Sequence, residues 1–191
     1  MYSVRSLMND YETTGKTAIL DSIASFGYDF VEAYGYGDSL FHQKSSSQFR
    51  SDINAAGLDM YSSHFSIMLT DEELASGNFS ASLAQWDKAI DAHKAAGIKY
   101  LLMAWLQNPP KTIADWQTYC RYFNAVGQKC KDAGLEFGYH NHWFEFEDVE
   151  GRLPYDILLE GTDPSLVTFE ADTYWMAARE QDPVEWFKRY P

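Results

Sequence analysis

Histidine and carboxylate side chains stand in this chain where they could transfer protons or bind a divalent metal ion. Imidazole exchanges protons near neutral pH, and imidazole and carboxylate groups together suit divalent ions such as Zn²⁺ and Mn²⁺. The candidates are Glu32, His64, His140, His142, Glu170 and Asp172. Any one of them alone could equally be a hydrogen-bonded structural residue. The prediction therefore depends on whether the fold brings them together.

Alternating residues predict strands that would gather these side chains on one face. In the segment 135–141, Leu135, Phe137 and Tyr139 alternate with Glu136, Gly138 and His140. Successive side chains of a strand point to opposite faces. We therefore expect the apolar set to pack against helices and the polar set to face inward. The segment 167–173 alternates in the same way and places Glu170 and Asp172 on its polar face.

A weak internal repeat indicates the architecture that carries these strands. Gly27, Gly57, Gly97 and Gly134 each follow a segment of helical periodicity and precede a short apolar strand. A glycine can end a helix in the left-handed conformation, and helices that alternate with strands indicate βαβ units with parallel strands. No GxGxxG motif follows the first predicted strand, which argues against a dinucleotide-binding open sheet. The sequence thus predicts an α/β protein, a parallel (β/α) TIM barrel with its active site at the carboxyl ends of the strands.

The number of predicted strands falls short of a complete barrel. We expect strands near residues 2–5, 29–34, 59–64, 99–104, 135–141 and 167–173, and a last helix over 183–190. Eight βα units take about 250 residues. We therefore expect residues 1–191 to form one domain that contains about six units and lacks the last two. Such a chain would have two unpaired strand edges, so homo-oligomerisation stays open.

Two local features support the predicted helices, and two histidines are expected outside the site. Thr112 and Asp115 form a plausible capping pair for the helix that ends near Gly134, and the serines 45–47 are expected to cap the helix before Gly57. His42, in a loop, and His93, on a helix, are expected at the surface.

Composition limits the partners and the cellular location. The formal net charge is −13, from 15 basic and 28 acidic residues, and such a field repels nucleic acid and anionic membranes. Neither a signal peptide nor an apolar stretch long enough to span a membrane is visible, so a cytoplasmic enzyme is the default expectation. The two cysteines, Cys120 and Cys130, fall on one predicted helix, about 15 Å apart along its axis, too far for a disulfide.

Aromatic residues follow the same strand ends as the polar candidates. Aromatic faces pack against the C–H surfaces of sugars, while carboxylates bind hydroxyl groups, so this lining would suit a small sugar. The tryptophans could equally belong to the core. The aromatic residues concerned are Trp105, Trp143, Tyr174 and Trp175.

Several motifs resemble one known family. The run Gly138–Phe146 resembles the GYHNHxxEF signature of the sugar phosphate isomerase/epimerase family, within the xylose isomerase-like barrel superfamily. The later runs follow the family in order and spacing, as do Tyr2–Arg5 and Phe30–Glu32 near the start. The later runs are Tyr155–Leu159, Thr162–Pro164, Phe169–Trp175 and Asp182–Val184. The resemblance covers essentially the whole chain.

The resemblance implies a divalent metal, Mn, Co, Mg or Zn, at the mouth of the barrel. Asp172 matches the ligand that family members supply from the sixth strand, and His140 stands where better-known epimerases have a glutamate. The resemblance therefore implies metal binding by His140 and Asp172 and catalysis by His140 and Glu145. Glu145 would fix a histidine or replace it as the ligand. Substrate binding is expected from Glu32, His64, Trp105, His142, Glu170 and Trp175.

Three functions remain open at this point. The first is a metal-dependent sugar isomerase or epimerase that acts through an enediolate on a small-molecule substrate. The second keeps the fold but eliminates a leaving group, as a lyase or dehydratase of a keto-sugar or keto-glycoside. The third is a sugar-binding fragment without catalysis. Histidine at the position of His140 departs from the two-carboxylate epimerase pattern, and it keeps the second function in consideration.

Overall fold

A single parallel sheet organises the protein. The computed structural model describes residues 1–191, and the sheet has the order β1-β4-β5-β6-β7 with all neighbours parallel. Its strands are β1 (Phe30–Ala33), β4 (Asp59–His64), β5 (Tyr100–Met103), β6 (Glu136–His140) and β7 (Val167–Glu170). A small antiparallel hairpin, β2 (Tyr36–Gly37) and β3 (Leu40–Phe41), follows β1. The predicted parallel (β/α) class is confirmed.

Helices connect the strands and cover one face of the sheet. The α-helices are α1 (Asn9–Thr14), α2 (Ala18–Ser25), α3 (Ser46–Ala55), α4 (Asp71–Ser76), α5 (Ser80–Ala95), α6 (Ile113–Ala133), α7 (Pro154–Gly161), α8 (Thr173–Ala178) and α9 (Pro183–Arg189). Two short 3₁₀ helices span Tyr2–Leu7 and Phe144–Phe146. None of the helices combines the length and apolar composition needed to cross a bilayer.

Helix α6 shows how the sequence pattern produces the core. Thr112 begins it as the predicted cap, since its hydroxyl oxygen accepts a hydrogen bond from the Asp115 amide. Gly134 ends it with a φ of 84°, in the left-handed conformation. Glycine adopts this conformation at little cost because it has no Cβ. Between them a stripe of large side chains is buried against Phe137 and Tyr139 of β6. The buried stripe consists of Trp116, Tyr119, Phe123, Val126 and Cys130.

The first predicted strand is wrong. Residues Tyr2–Leu7 form a 3₁₀ helix, so the sheet has five parallel strands instead of six. A short run of mixed apolar and polar residues does not distinguish a strand from a helical turn by periodicity alone. The chain start still contacts the sheet, because the Met1 ammonium group donates a hydrogen bond to the Glu32 carbonyl at 2.8 Å.

Two histidines expected at the surface are buried, and these predictions are wrong. The His93 Nδ1 atom hydrogen-bonds the Ala89 carbonyl at 2.6 Å, and its Nε2 atom lies 3.1 Å from the Ser63 hydroxyl. Burial lowers the pKa of His93 to about 4. His42 is buried below the hairpin, and its Nδ1 atom lies 2.6 Å from a Glu12 carboxylate oxygen. Periodicity does not show which polar partners a buried ring will find. His42 lies in a loop and pairs with Glu12, and His93 pairs with Ser63 of β4 as well as with Ala89 of its own helix.

The remaining local predictions hold. Ser45 caps α3, helix α9 occupies the predicted last helix, and both cysteines are buried and free. The expectation of two further βα units is not tested by this geometry and stays a prediction.

Candidate active site

Four side chains from four strands converge at the carboxyl end of the sheet. Glu32 lies on β1, His64 ends β4, His140 ends β6, and Glu170 ends β7. Each is half-buried. Strand β5 lies between β4 and β6, yet the rings of His64 and His140 have centroids only 4.7 Å apart. The sheet therefore curves enough to bring together two rings that are 76 positions apart in the sequence and lie on strands that are not neighbours.

These residues and Asp172 form a continuous chain of contacts. One oxygen of Glu170, Oε2, lies 2.8 Å from His64 Nε2 and 2.7 Å from His140 Nδ1. His64 Nε2 also lies 2.8 Å from Glu32 Oε1. At the other end, His140 Nε2 lies 3.5 Å from Asp172 Oδ2. The two ring nitrogens of His140 thus face different carboxylates.

The contacts set the charge of the two central groups. Burial lowers the pKa of the His64 imidazole, but hydrogen bonds to Glu170 and Glu32 outweigh burial and raise that pKa to about 9. Burial also raises the pKa of Glu170, but hydrogen bonds from His140 and His64 bring it well below its usual range. These contacts therefore favour the charged forms of both His64 and Glu170.

The donor set fits a divalent metal ion. One ligand atom each from His64, His140 and Glu170 lies within 4.8 Å of the other two. Ligands at about 2.0–2.2 Å from a common ion have separations of this order. The sequence pointed to His140 with Asp172, and the structure places Asp172 beside the other ring nitrogen of His140. His64 and Glu170, expected only to bind substrate, therefore also stand at ligand distance.

His142 lies next to this cluster and contacts it through its ring. Its centroid is 5.0 Å from that of His140, and its Nδ1 atom is buried without a hydrogen-bond partner. Burial and the neighbouring His140 lower the pKa of His142 to about 4. A proton on the buried Nδ1 would be an unpaired donor, so the neutral ring carries its proton on Nε2. Nε2 can then donate a hydrogen bond to a bound molecule.

Aromatic rings extend from His142 as a continuous wall. Trp105 lies 4.9 Å from His142 and 5.7 Å from Trp143, which in turn lies 5.1 Å from Trp175 (centroid distances). Tyr174 packs edge-on against Trp175, and Trp105 and Tyr174 remain 39% and 67% exposed. The predicted wall therefore forms, and part of its surface is free for a ligand.

Glu145 lies behind the site instead of within it. It is fully buried, and its carboxylate accepts hydrogen bonds from the Tyr139 hydroxyl and, at 2.9 Å, from the His142 amide. Tyr139 belongs to the helix-facing side of β6. These contacts place Glu145 where it holds the chain at His142, and its predicted catalytic role stays a prediction.

Two contributors were missed from the sequence. The Ser62 hydroxyl donates a hydrogen bond to Glu32 Oε2 at 2.6 Å, a pairing that depends on the register shift between Val31 and Glu32. Asn141, fully buried between the two histidines of its motif, hydrogen-bonds the backbone of Asp172. In the sequence, the only sign of this role was an asparagine between two candidate ligands. That sign did not indicate Asp172 as its partner.

Several solved structures share the fold of this chain. A sugar phosphate isomerase/epimerase from Parabacteroides distasonis ATCC 8503 superposes with a TM-score of 0.81 at 29% identity, over 95% of this chain and 70% of the other. A second structure of that name and organism gives 0.85 at 27%, over 96% and 72%. A probable 3-DHS dehydratase from Bacillus anthracis gives 0.70 at 12%, over 96% and 67%, a likeness of fold alone. No curated protein sequence matches this chain.

A family profile covers the segment that carries every strand and every site residue described above. It spans residues 20–190, from α2 to the end of α9. The chain belongs to the xylose isomerase-like TIM barrel family.

Proposed function

We propose that this protein is a metal-dependent sugar isomerase or epimerase. The observation that carries the proposal is the cluster of His64, His140 and Glu170, whose ligand atoms lie within 4.8 Å of one another at the carboxyl end of the sheet. Active sites of (β/α) barrels lie at this end. The two Parabacteroides relatives, named sugar phosphate isomerase/epimerase, support the general class of enzyme.

A divalent ion at this centre would act as a Lewis acid that polarises the carbonyl group of a sugar. His140 would hold it in either of two arrangements. Through Nδ1 it would share the ion with His64 and Glu170, and through Nε2 it would share the ion with Asp172. Loading requires neutral imidazoles and so releases the proton of His64.

The residues around the centre would move the protons of the reaction. Glu32 offers a carboxylate that takes the proton next to the carbonyl, and its hydrogen bond from Ser62 fixes the direction of that carboxylate. In an isomerisation Glu32 would return the proton to the neighbouring carbon, whereas in an epimerisation a second acid on the opposite face of the sugar would donate a proton to the same carbon. Neither outcome changes the mass of the substrate. His142 Nε2 would donate a hydrogen bond to a substrate hydroxyl.

The aromatic wall would bind the carbon skeleton of the substrate. Trp105 and Trp175 both lie near His142, with centroid distances of 4.9 and 5.9 Å. Flat aromatic surfaces contact C–H groups, whereas the carboxylates of the centre bind hydroxyls, and a sugar presents both kinds of group. A small sugar or keto-sugar is therefore the substrate class that fits.

The proposal is tested by incubating the metal-loaded protein with a panel of keto-sugars in D₂O. NMR would follow exchange of the proton next to the carbonyl, and mass spectrometry would follow the product. We expect deuterium uptake without loss of mass. Glu32→Gln should slow exchange about 10²- to 10⁴-fold, as expected for loss of a general base. Glu136→Gln is the matched control, because Glu136 lies at the opposite end of β6 and pairs with Lys99. Absence of both deuterium exchange and a new sugar product, with every sugar of the panel, would refute catalysis and favour a sugar-binding role.

The two arrangements of the ion are separated by elemental analysis of three variants. Loss of metal in Asp172→Ala with retention in Glu170→Gln places the ion at His140 Nε2, and the converse places it at Nδ1. His140→Ala should lose metal in both cases. Full occupancy in all three variants would sink the assignment.

A second function, elimination from a keto-sugar or keto-glycoside, is favoured by one observation. The proton-carrying groups at the centre are imidazoles in contact with carboxylates, His64 with Glu32 and His140 with Glu170, instead of a symmetric pair of carboxylates. An elimination needs a base and a different acid for the leaving group, and such mixed pairs supply both. Loss of water or of an aglycone in the mass spectrum would establish this function.

A further inference from the structure

Asn141 joins the ends of β6 and β7 through its side chain. Its amide Nδ2 donates to the Asp172 carbonyl at 3.2 Å, and its Oδ1 accepts from the Asp172 amide at 2.9 Å. The last backbone pair between these strands is His140 with Glu170. The Asn141 side chain therefore continues the ladder after the backbone pairing ends. Because the side chain is fully buried, water does not readily replace these two bonds.

We call these two hydrogen bonds from Asn141 to the backbone of Asp172 the clamp. The carboxylate of Asp172 is itself held in place by further contacts. Asp172 Oδ1 accepts hydrogen bonds from the amides of Tyr174 and Trp175, at 2.9 and 3.4 Å, where α8 begins. The second oxygen, Oδ2, is the one that lies 3.5 Å from His140 Nε2. With its backbone held by Asn141 and one oxygen held by α8, Asp172 presents the other oxygen to His140 in one direction.

We propose that Asn141 is a positioning residue for the metal centre, and that it sets the placement of Asp172 against His140. The consequence is the same in both arrangements of the ion. If Asp172 is a ligand, Asn141 fixes that ligand. If the ion lies at Nδ1, Asp172 accepts the proton of Nε2 and orients the ring, as carboxylates do for metal-bound histidines. The metal part of this proposal rests on the proposed function, whereas the placement of His140 does not.

The test begins with the metal-free protein. The chain has five histidines, so ring ¹H–¹⁵N correlation spectra are simple to assign from single histidine variants. In Asn141→Ala we expect the His140 ring signals to move while those of His93, held by Ser63 and Ala89, stay in place. Co²⁺ titration followed by calorimetry and by the visible absorption of Co²⁺ should then show affinity reduced about 10- to 100-fold.

Asn124→Ala is the matched control. Asn124 also bonds a backbone group before β7, since its Oδ1 accepts from the Asp163 amide at 2.8 Å, but it lies on α6, away from the strand ends. It should leave the His140 signals and the Co²⁺ affinity unchanged. Asn141→Asp keeps the acceptor for the Asp172 amide and loses the donor, so it keeps the protein testable if the alanine variant unfolds.

The outcomes separate the two proposals. Unchanged His140 signals in a folded Asn141 variant would overturn the positioning role, whatever the metal does. Shifted His140 signals in a protein that never binds Co²⁺ would support the clamp and refute the metal centre. Shifted signals with wild-type Co²⁺ affinity and spectrum would overturn the link from the clamp to the metal.

Discussion

The buried carboxyl group of Glu145 makes the stability of this protein depend on pH. Burial raises the pKa of Glu145 to about 7, from an ordinary value of 4.5, against the opposing effect of hydrogen bonds from Tyr139 and His142. A raised carboxyl pKa means that the folded state binds the proton more tightly than the unfolded state. The contribution to stability is therefore complete below pH 4.5 and is lost as the pH rises through 7.

The size of this effect follows from the shift. A difference of about 2.5 pKa units corresponds to about 3 kcal/mol, because one unit is worth about 1.4 kcal/mol. Glu145→Gln removes the titration and keeps the shape. Its Oε1 can accept from the His142 amide, and its Nε2 can donate to the Tyr139 hydroxyl oxygen. The variant should therefore gain about 3 kcal/mol relative to the native protein between pH 4.5 and pH 8.

The measurement is urea unfolding of both proteins from pH 4.5 to pH 8, followed by tryptophan fluorescence. Other titrating groups are common to the two proteins, so the difference between them isolates Glu145. Tyr139→Phe gives a second check. Loss of the hydroxyl donor should raise the pKa of Glu145 further, so the free energy of unfolding of this variant should fall at a higher pH than that of the native protein. A difference that stays constant across this pH range would refute the argument that burial raises the pKa of Glu145.

Three further outcomes are expected. Glu170→Gln should lower the pKa of His64 from about 9, because the main favourable contact of the imidazolium is lost, and a histidine NMR titration would show it. Gly138→Ala should destabilise the protein by about 1–3 kcal/mol in urea unfolding, because the added Cβ would lie 2.6 Å from Leu102 Cδ2. Gly37→Ala, where no atom lies within 4 Å of the added Cβ, is its control and should be nearly neutral. His93, with a pKa lowered to about 4, stabilises the fold above pH 6.5, and this contribution is lost as the pH falls toward 4. His93→Gln should flatten that part of the pH–stability curve, and an unchanged slope would contradict the burial of a neutral imidazole.

The sequence by itself determined the class of fold and the face of β6 on which His140 lies. The repeated glycines and the period-two alternation in β6 follow from local backbone geometry, which neighbouring residues dictate. The orientation of His140 away from Tyr139 was therefore predictable from the chain alone. So was the helix α6, whose cap and apolar stripe lie within one segment.

Only the tertiary structure decided which residues meet. His64 and Glu170 are 106 positions apart, and their hydrogen bond depends on the curvature and register of five strands. No local pattern encodes that register, nor the shift between Val31 and Glu32 that pairs Glu32 with Ser62 of β4. The same reason explains Glu145 and His93. Both are titratable residues next to apolar runs, and only the tertiary structure shows that they are buried, even though Tyr139, His142 and Ala89, which hydrogen-bond them, are close in the sequence.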